Sequence, residues 1–150
     1  MEEKTLEKWD RNINIAGMKN QKDFKTYEEV PEGTYEIAVK NLELKASKSG
    51  DPMVSAQFKI VQGKHKGRFI FMNQVITQPF QVHIVNEFLK QLVQNEDEDE
   101  FDIGFENYRQ YNDLILDIHE FIDGKYEYAL IYGSTNKGFK TFEIDKVFEL

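Results

Sequence analysis

The chain has 150 residues, no cysteine and a formal net charge of −8. This length suits one domain with its own core, and the absence of thiols excludes a disulfide framework, an iron–sulfur cluster and a cysteine nucleophile. The charged N-terminus leads into no apolar stretch, and no apolar run is long enough for a transmembrane helix. The composition therefore predicts a cytoplasmic protein without a membrane partner.

The charge is unevenly distributed along the chain. Residues 31–80 carry seven basic and four acidic side chains, whereas residues 95–123 carry eleven acidic side chains and one basic one. The distribution of charge says more about a ligand than its sum does. The mildly basic half is therefore compatible with a polyanionic ligand, in spite of the acidic total.

Period-two alternation predicts three strands in the first half of the chain. After a semi-ordered N-terminal arm at residues 1–29, the first strand begins near Gly33. Its apolar phase slips by one residue between Val39 and Leu42, which is typical of a β-bulge. Turns rich in glycine and lysine precede a second strand at residues 54–60 and a third at residues 68–76, so a meander is predicted.

A helical insertion and a closing hairpin follow these strands. Helical spacing predicts one helix from Pro79 to Gln94 and another from Glu106 to Ile122, separated by a solvated acidic loop. The last two strands, at residues 125–132 and 139–148, flank a glycine-rich turn. Residues 30–150 are therefore predicted to form a mainly β domain, a five-stranded OB-like barrel with the acidic insertion at about 95–123 between strands three and four.

No constellation of catalytic residues is recognised. The chain contains no P-loop, no glycine-rich dinucleotide motif, no nucleophile elbow and no H-E-x-x-H motif. His65, His83 and His119 lack a second ligand at helical spacing, so we predict neither a metal site nor a cofactor. The chain is accordingly expected not to be an enzyme.

Single-strand binding needs cations for the phosphates and exposed rings for unstacked bases. The predicted turns supply cations, and rings beside a cation, a glycine or a rim are candidates for stacking, whereas Phe58, Phe142 and Phe148 are expected in the core. The predicted nucleic-acid-binding residues are Lys45, Lys48, Lys59, Lys64, Lys66, Arg68, Phe69, Phe71, Tyr132, Lys137, Phe139 and Lys140. The hypothesis requires that they converge on one cationic trough of a closed barrel.

Four short motifs resemble a family of small phage proteins. They are G-x-Y at residues 33–35, K-x-S-K-S-G-D at residues 45–51, G-K-x-K-G-R at residues 63–68 and G-x-T-N-K-G at residues 133–138. That family belongs to the replication–recombination modules of phages of Gram-positive hosts and includes proteins described as single-stranded-DNA binders. The resemblance implies sequence-tolerant DNA binding in phage replication or recombination, with phage recombinase or replication proteins as candidate partners.

A second interpretation starts from the acidic segment. Residues 95–123 could mimic DNA and make the chain a protein-interaction module that inhibits a host nucleic-acid enzyme. In the first interpretation the same segment could occupy the basic groove, recruit a basic partner or serve only solubility. The sequence leaves these alternatives open, together with the choice between a monomer and a homodimer.

Overall fold

The computed structural model describes residues 4–7 and 29–150. Residues 4–7 are helical, and the rest of the predicted N-terminal arm, apart from Glu29, lies outside the described residues. The remaining elements are β1 (Gly33–Ala46), β2 (Pro52–Ile60), β3 (Phe69–Val75), α1 (Pro79–Leu92), α2 (Tyr108–Ile122), β4 (Tyr126–Ser134) and β5 (Lys140–Glu149). Every strand and helix predicted between residues 30 and 150 is therefore confirmed.

All five strands form one antiparallel sheet, in the order β3-β2-β1-β4-β5. β1 is central, because its first part pairs with β4 and its longer remainder pairs with β2. Its register shifts between Val39 and Asn41, where the sequence predicted a bulge. An extra residue at this point bends the strand, so that one long strand serves two neighbours.

The sheet is not closed, which corrects the predicted barrel. Closure would require β3 to pair with β5, and these strands are instead the two free edges. Helix α1 packs against both, and Oε1 of Gln91 accepts a hydrogen bond of 2.7 Å from the backbone N of Ile144 in β5. The fold is accordingly mixed α/β rather than mainly β, with three described helices, two of them between β3 and β4. None of these helices has the length and apolar character needed to cross a membrane.

The core lies between one face of the sheet and the two long helices. α1 and α2 bury their apolar stripes against this face in one continuous cluster. Two tyrosine hydroxyls join the layers, since buried Tyr128 donates to the Leu92 carbonyl at 2.7 Å and the more exposed Tyr108 donates to the Ile76 carbonyl at 2.9 Å. Among the described elements, neither long helix covers the opposite face of β2 and β3.

A second register shift decides which residues of β5 face the core. Ile144 pairs with Leu130, whereas Lys146 pairs with the preceding residue, Ala129. The extra residue between them resets the alternation, so Ile144 is buried and Phe148 is 37% exposed. The expectation that Phe148 belongs to the core was wrong, because period-two phase does not persist through a bulge.

Candidate nucleic-acid interface

Strand register defines an outer face on β2 and β3. Lys59 lies opposite Phe69, and Gln57 lies opposite Phe71. Successive residues of a strand point to opposite faces, and the intervening Phe58 is fully buried in the core. These four residues therefore share the face that points away from the helices, and we call this surface the outer β2–β3 face.

Two phenylalanine rings are exposed on the outer β2–β3 face. Phe69 is 39% exposed and Phe71 is 57% exposed. Their ring centroids lie 6.2 Å apart, and the ring planes differ by 22°. Nearly parallel rings open to water form a surface on which unstacked bases can lie. Both rings are thus among the exposed candidates for stacking, whereas base stacking itself stays a prediction.

Cations lie at the Phe69 end of this pair of rings. Lys59 is the cross-strand neighbour of Phe69, and the chain reaches Phe69 through a turn that carries Lys64, Lys66 and Arg68. Lys64 and Lys66 are exposed and make no ion pair with another described residue. The charges of Lys64 and Lys66 are therefore available to a phosphate chain that runs beside the rings.

The β2–β3 turn has a defined shape. Gly63 and Gly67 have φ angles of +85° and +90°, which side chains with a Cβ rarely adopt. The ring of His65 contacts the ring of Tyr35 edge to face at 5.9 Å, and Nδ1 of His65 lies 3.4 Å from Nη1 of Arg68. These contacts fasten the turn to the start of β1, so its lysines project from a fixed position.

The lysines of the β1–β2 turn lie at the other end of the sheet. Lys45 pairs with Met53, which places it on the outer side of the sheet, and Lys48 lies in the turn beyond. Ile37 of β1 lies beside the end of β2, where the β2–β3 turn begins. From Ile37 to Lys45 the strand spans roughly 26 Å at the usual rise per residue. Only an extended ligand could reach both groups of cations.

The β4–β5 hairpin contributes an exposed ring and a neutralised cation. Phe139 is 69% exposed near the tip, beside the exposed Lys137. Lys140 Nζ lies 3.5 Å from Oε2 of Glu29 and 3.9 Å from Oε1 of Glu32. Two carboxylates already accompany this ammonium, so Lys140 is a poorer phosphate contact than the sequence suggested.

Tyr132 does not offer a stacking surface. It faces the core and is 5% exposed. Its ring lies against Phe142, with centroids 5.6 Å apart, and under the ammonium of Lys140 at 5.1 Å. The alternation along β4 was read correctly, but the sequence did not reveal which side of that strand is buried.

A groove separates β3 from the β4–β5 hairpin, with α1 along one side. It has a volume of about 980 Å³. Its exposed apolar side chains are Phe71, Phe80, Ile84 and Phe139. Phe71 belongs both to this groove and to the outer β2–β3 face, so the two surfaces are continuous. Sequence reasoning missed Phe80 and Ile84 because their helical spacing matched that of the core residues.

The acidic segment is anchored at its first carboxylate. Glu96 accepts hydrogen bonds from the Tyr126 hydroxyl and from Lys125 Nζ, the latter at 3.2 Å. The Tyr126 hydrogen bond holds the pKa of Glu96 below its usual value, assisted by Lys125 and opposed by partial desolvation. The following carboxylates, at residues 97–100, are exposed, and so are Asp113, Asp117 and Glu120 on α2.

The twelve predicted residues thus do not form a single trough. The structure brings together Lys59, Phe69, Phe71 and the β2–β3 turn. It places Phe139 across the groove, Lys45 and Lys48 at the far end of the sheet, and Tyr132 in the core. The candidate site is therefore reduced to the two rings of Phe69 and Phe71 and the cations beside them.

The fold and site define a small α/β protein with an open antiparallel sheet and an aromatic, cation-flanked outer face. The chain belongs to the family described as "Protein of unknown function (DUF669)", which matches residues 17–96. The matched span contains β1, β2, β3 and α1, and with them the outer β2–β3 face and the β2–β3 turn. No curated protein matches the chain.

Proposed function

We propose that the protein binds single-stranded DNA without sequence preference, through the outer β2–β3 face. The observation that carries the proposal is the pair of nearly parallel, exposed rings of Phe69 and Phe71 beside Lys59. A neighbouring turn adds further cations. Single-strand binders combine these two elements, since cations follow the phosphates while rings receive bases.

The energetics suit binding by a small number of contacts. Each stacked base contributes about 1–3 kcal/mol, and each phosphate contact on a single strand contributes a salt-dependence slope of about 0.7. Two stacked bases supply about 2–6 kcal/mol of the roughly 8 kcal/mol that micromolar affinity requires, so contacts between lysines and phosphates must supply the remainder. Stacking and phosphate contacts require no base-specific hydrogen bond, so we expect tolerance of sequence.

The topology also supports this function. Joining β3 to β5 would close the observed strand order into a five-stranded barrel, and OB barrels bind oligonucleotides across their second and third strands. We regard the chain as an OB-like sheet opened at this seam. The likeness of its turn motifs to those of phage single-strand binders favours a role in phage DNA replication or recombination.

The direct test is a fluorescence titration with oligothymidine of about 30 nucleotides at about 50 and 200 mM salt. We expect binding that weakens steeply with salt. Replacing Lys64 and Lys66 by alanine should flatten the slope of log K against log salt by roughly 1.4. The matched control replaces Lys90 and Lys146, which are exposed on other parts of the molecule. Absence of binding at the lower salt, or equal losses in both double variants, would contradict the proposal.

A second candidate function rests on the exposed carboxylates of α2. Asp113, Asp117 and Glu120 recur at helical spacing on its solvent side, a regular anionic row of the kind a DNA mimic needs. Under this hypothesis the protein captures a basic nucleic-acid enzyme and does not bind oligothymidine. Replacing these carboxylates by amides would then abolish capture, whereas it would preserve or strengthen DNA binding under the first proposal.

A further inference from the structure

The two edges of the sheet differ in charge. β3, with the sequence Phe-Ile-Phe-Met-Asn-Gln-Val, carries no charged residue and no proline. β5 carries Lys140, Glu143, Asp145, Lys146 and Glu149, and its Ile144 N–H is bound by α1. Exposed edge strands normally carry charges or prolines that prevent pairing with another chain. β5 has this protection and β3 lacks it.

Strand register identifies the open backbone groups of β3. The N–H of Ile76 donates to the Pro52 carbonyl, and the Arg68 carbonyl accepts from the N–H of Ile60. In an antiparallel pair, alternate residues direct both backbone groups to the same neighbour. Residues 70, 72 and 74 therefore bond to β2, and residues 69, 71, 73 and 75 point to the free edge.

One of these four residues, Val75, already has a hydrogen bond at its outward-facing carbonyl. The side-chain Nε2 of Gln74 donates to the Val75 carbonyl at 2.9 Å. Phe69, Phe71 and Asn73 keep both backbone groups open toward the groove, as far as the described part of the chain goes. Three alternate open residues centred on Phe71 are self-complementary under a twofold rotation.

We propose that two copies of the chain pair antiparallel through β3, with Phe71 on the dyad. Phe71 then faces Phe71 of the second copy, and Phe69 faces its Asn73. Each of these hydrogen-bonded pairs exchanges two N–H···O bonds. The register uses the three open residues and leaves out Val75.

The charges at the two ends of β3 favour the antiparallel orientation. The strand begins after the basic β2–β3 turn. Beyond its other end, the Ile76 carbonyl accepts from Tyr108, which lies two residues after the exposed Glu106. Antiparallel pairing places the basic turn of each copy toward Glu106 of the other, whereas parallel pairing would place the two basic turns side by side.

Exposed apolar residues beside β3 also support pairing with a second copy of the chain. Phe80 and Ile84 lie one helical turn apart on α1, next to β3, and are 65% and 51% exposed. In the paired arrangement they lie near the dyad, where their counterparts also lie, and are withdrawn from water. The pairing also brings four phenylalanine rings into one cluster on the outer face. The proposal does not rest on DNA binding, although it would double the length of the proposed site.

The first experiment measures the mass of the DNA-free protein by light scattering or sedimentation over a range of concentrations. We expect twice the chain mass of 17.7 kDa. Phe71→Glu, which sets two carboxylates against each other at the dyad, should give 17.7 kDa. Phe148→Glu, an equivalent change on the outer side of β5, should remain dimeric. A wild-type protein that is monomeric throughout would overturn the proposal.

The second experiment tests the register by cysteine cross-linking, which is simple because the chain contains no cysteine. Facing residues of a hydrogen-bonded pair have Cα atoms about 5.5 Å apart, within the range that a disulfide spans. Mild oxidation should therefore cross-link Phe71→Cys. Asn73→Cys should stay uncross-linked, because its symmetry mate lies about 14 Å away along the strand. Equal cross-linking of both variants, or of Thr141→Cys on β5, would contradict this register. Because no DNA is present, failure here leaves the DNA-binding proposal to its own test.

Discussion

Single aromatic residues carry the proposed DNA contact. Phe69 and Phe71 lie on the outer β2–β3 face, while Phe148 lies on the outer side of β5 with a similar exposed fraction. Exposure alone therefore does not distinguish a stacking ring from an incidental one. The distinction comes from the neighbours, since Lys59 is paired with Phe69 and Phe148 is paired with Glu127.

Phe69→Ala should weaken oligothymidine binding by roughly 5- to 150-fold, the loss of about one stacked base. The salt slope should not change, because no phosphate contact is removed. Phe148→Ala is the control and should bind as the wild type does. Fluorescence titration at two salt concentrations measures both quantities. A loss in Phe69→Ala that comes with a flatter slope would argue against stacking at this ring.

The carboxylate of Glu96 should make stability depend on pH. Its pKa is lowered in the folded protein, chiefly by the Tyr126 hydrogen bond, so its contribution is present at neutral pH. That contribution disappears as the pH falls from about 4.5, the usual value, through the lowered one. Glu96→Gln should therefore unfold at lower urea than the wild type at pH 7, and the difference should shrink near pH 3. Glu98→Gln, in the same loop and exposed, should show no such pH dependence.

At the scale of elements, local chemistry made most of this fold predictable. The β1 bulge follows from a slip in a period-two pattern, and the turns follow from glycine positions. The sequence did not show that β3 and β5 remain unpaired, because closure depends on whether a helix or a strand lies between the two edges. Similarly, the apolar spacing of α1 did not show that Phe80 and Ile84 extend beyond the core surface, and strand phase did not show which face of β4 is buried at Tyr132.

The β2–β3 turn offers a test of shape at this scale. Gly67→Ala should destabilise the fold by about 1–2 kcal/mol, because φ at this position is +90°. It should also weaken DNA binding if the turn presents its lysines to phosphates. Gly104→Ala is the matched control, since Gly104 lacks a positive φ and a methyl group there meets no atom within 4 Å. Urea unfolding and oligothymidine titration together separate the two effects.

At the scale of the whole molecule, the negative net charge repels DNA, whereas the lysines of the proposed site attract it. Replacing the four carboxylates at residues 97–100 by amides removes four negative charges while leaving the Glu96 contacts in place. Long-range repulsion of DNA then falls, so affinity should rise at low salt, and the gain should fade once the Debye length is short. An affinity equal to that of the wild type at low salt would show that these carboxylates have no electrostatic effect on the site. Loss of affinity would show that it supports the site directly.

The hydrogen bond from Ile144 to Gln91 has a consequence for assembly. A sheet with two unprotected edge strands can add further copies at both edges and grow into a fibre. Here a glutamine amide takes up a backbone donor of β5, and ionised side chains discourage further addition there. Strand addition is therefore possible only at β3. In the proposed arrangement, pairing of two β3 strands about a twofold axis uses both available edges, so assembly would stop at a dimer.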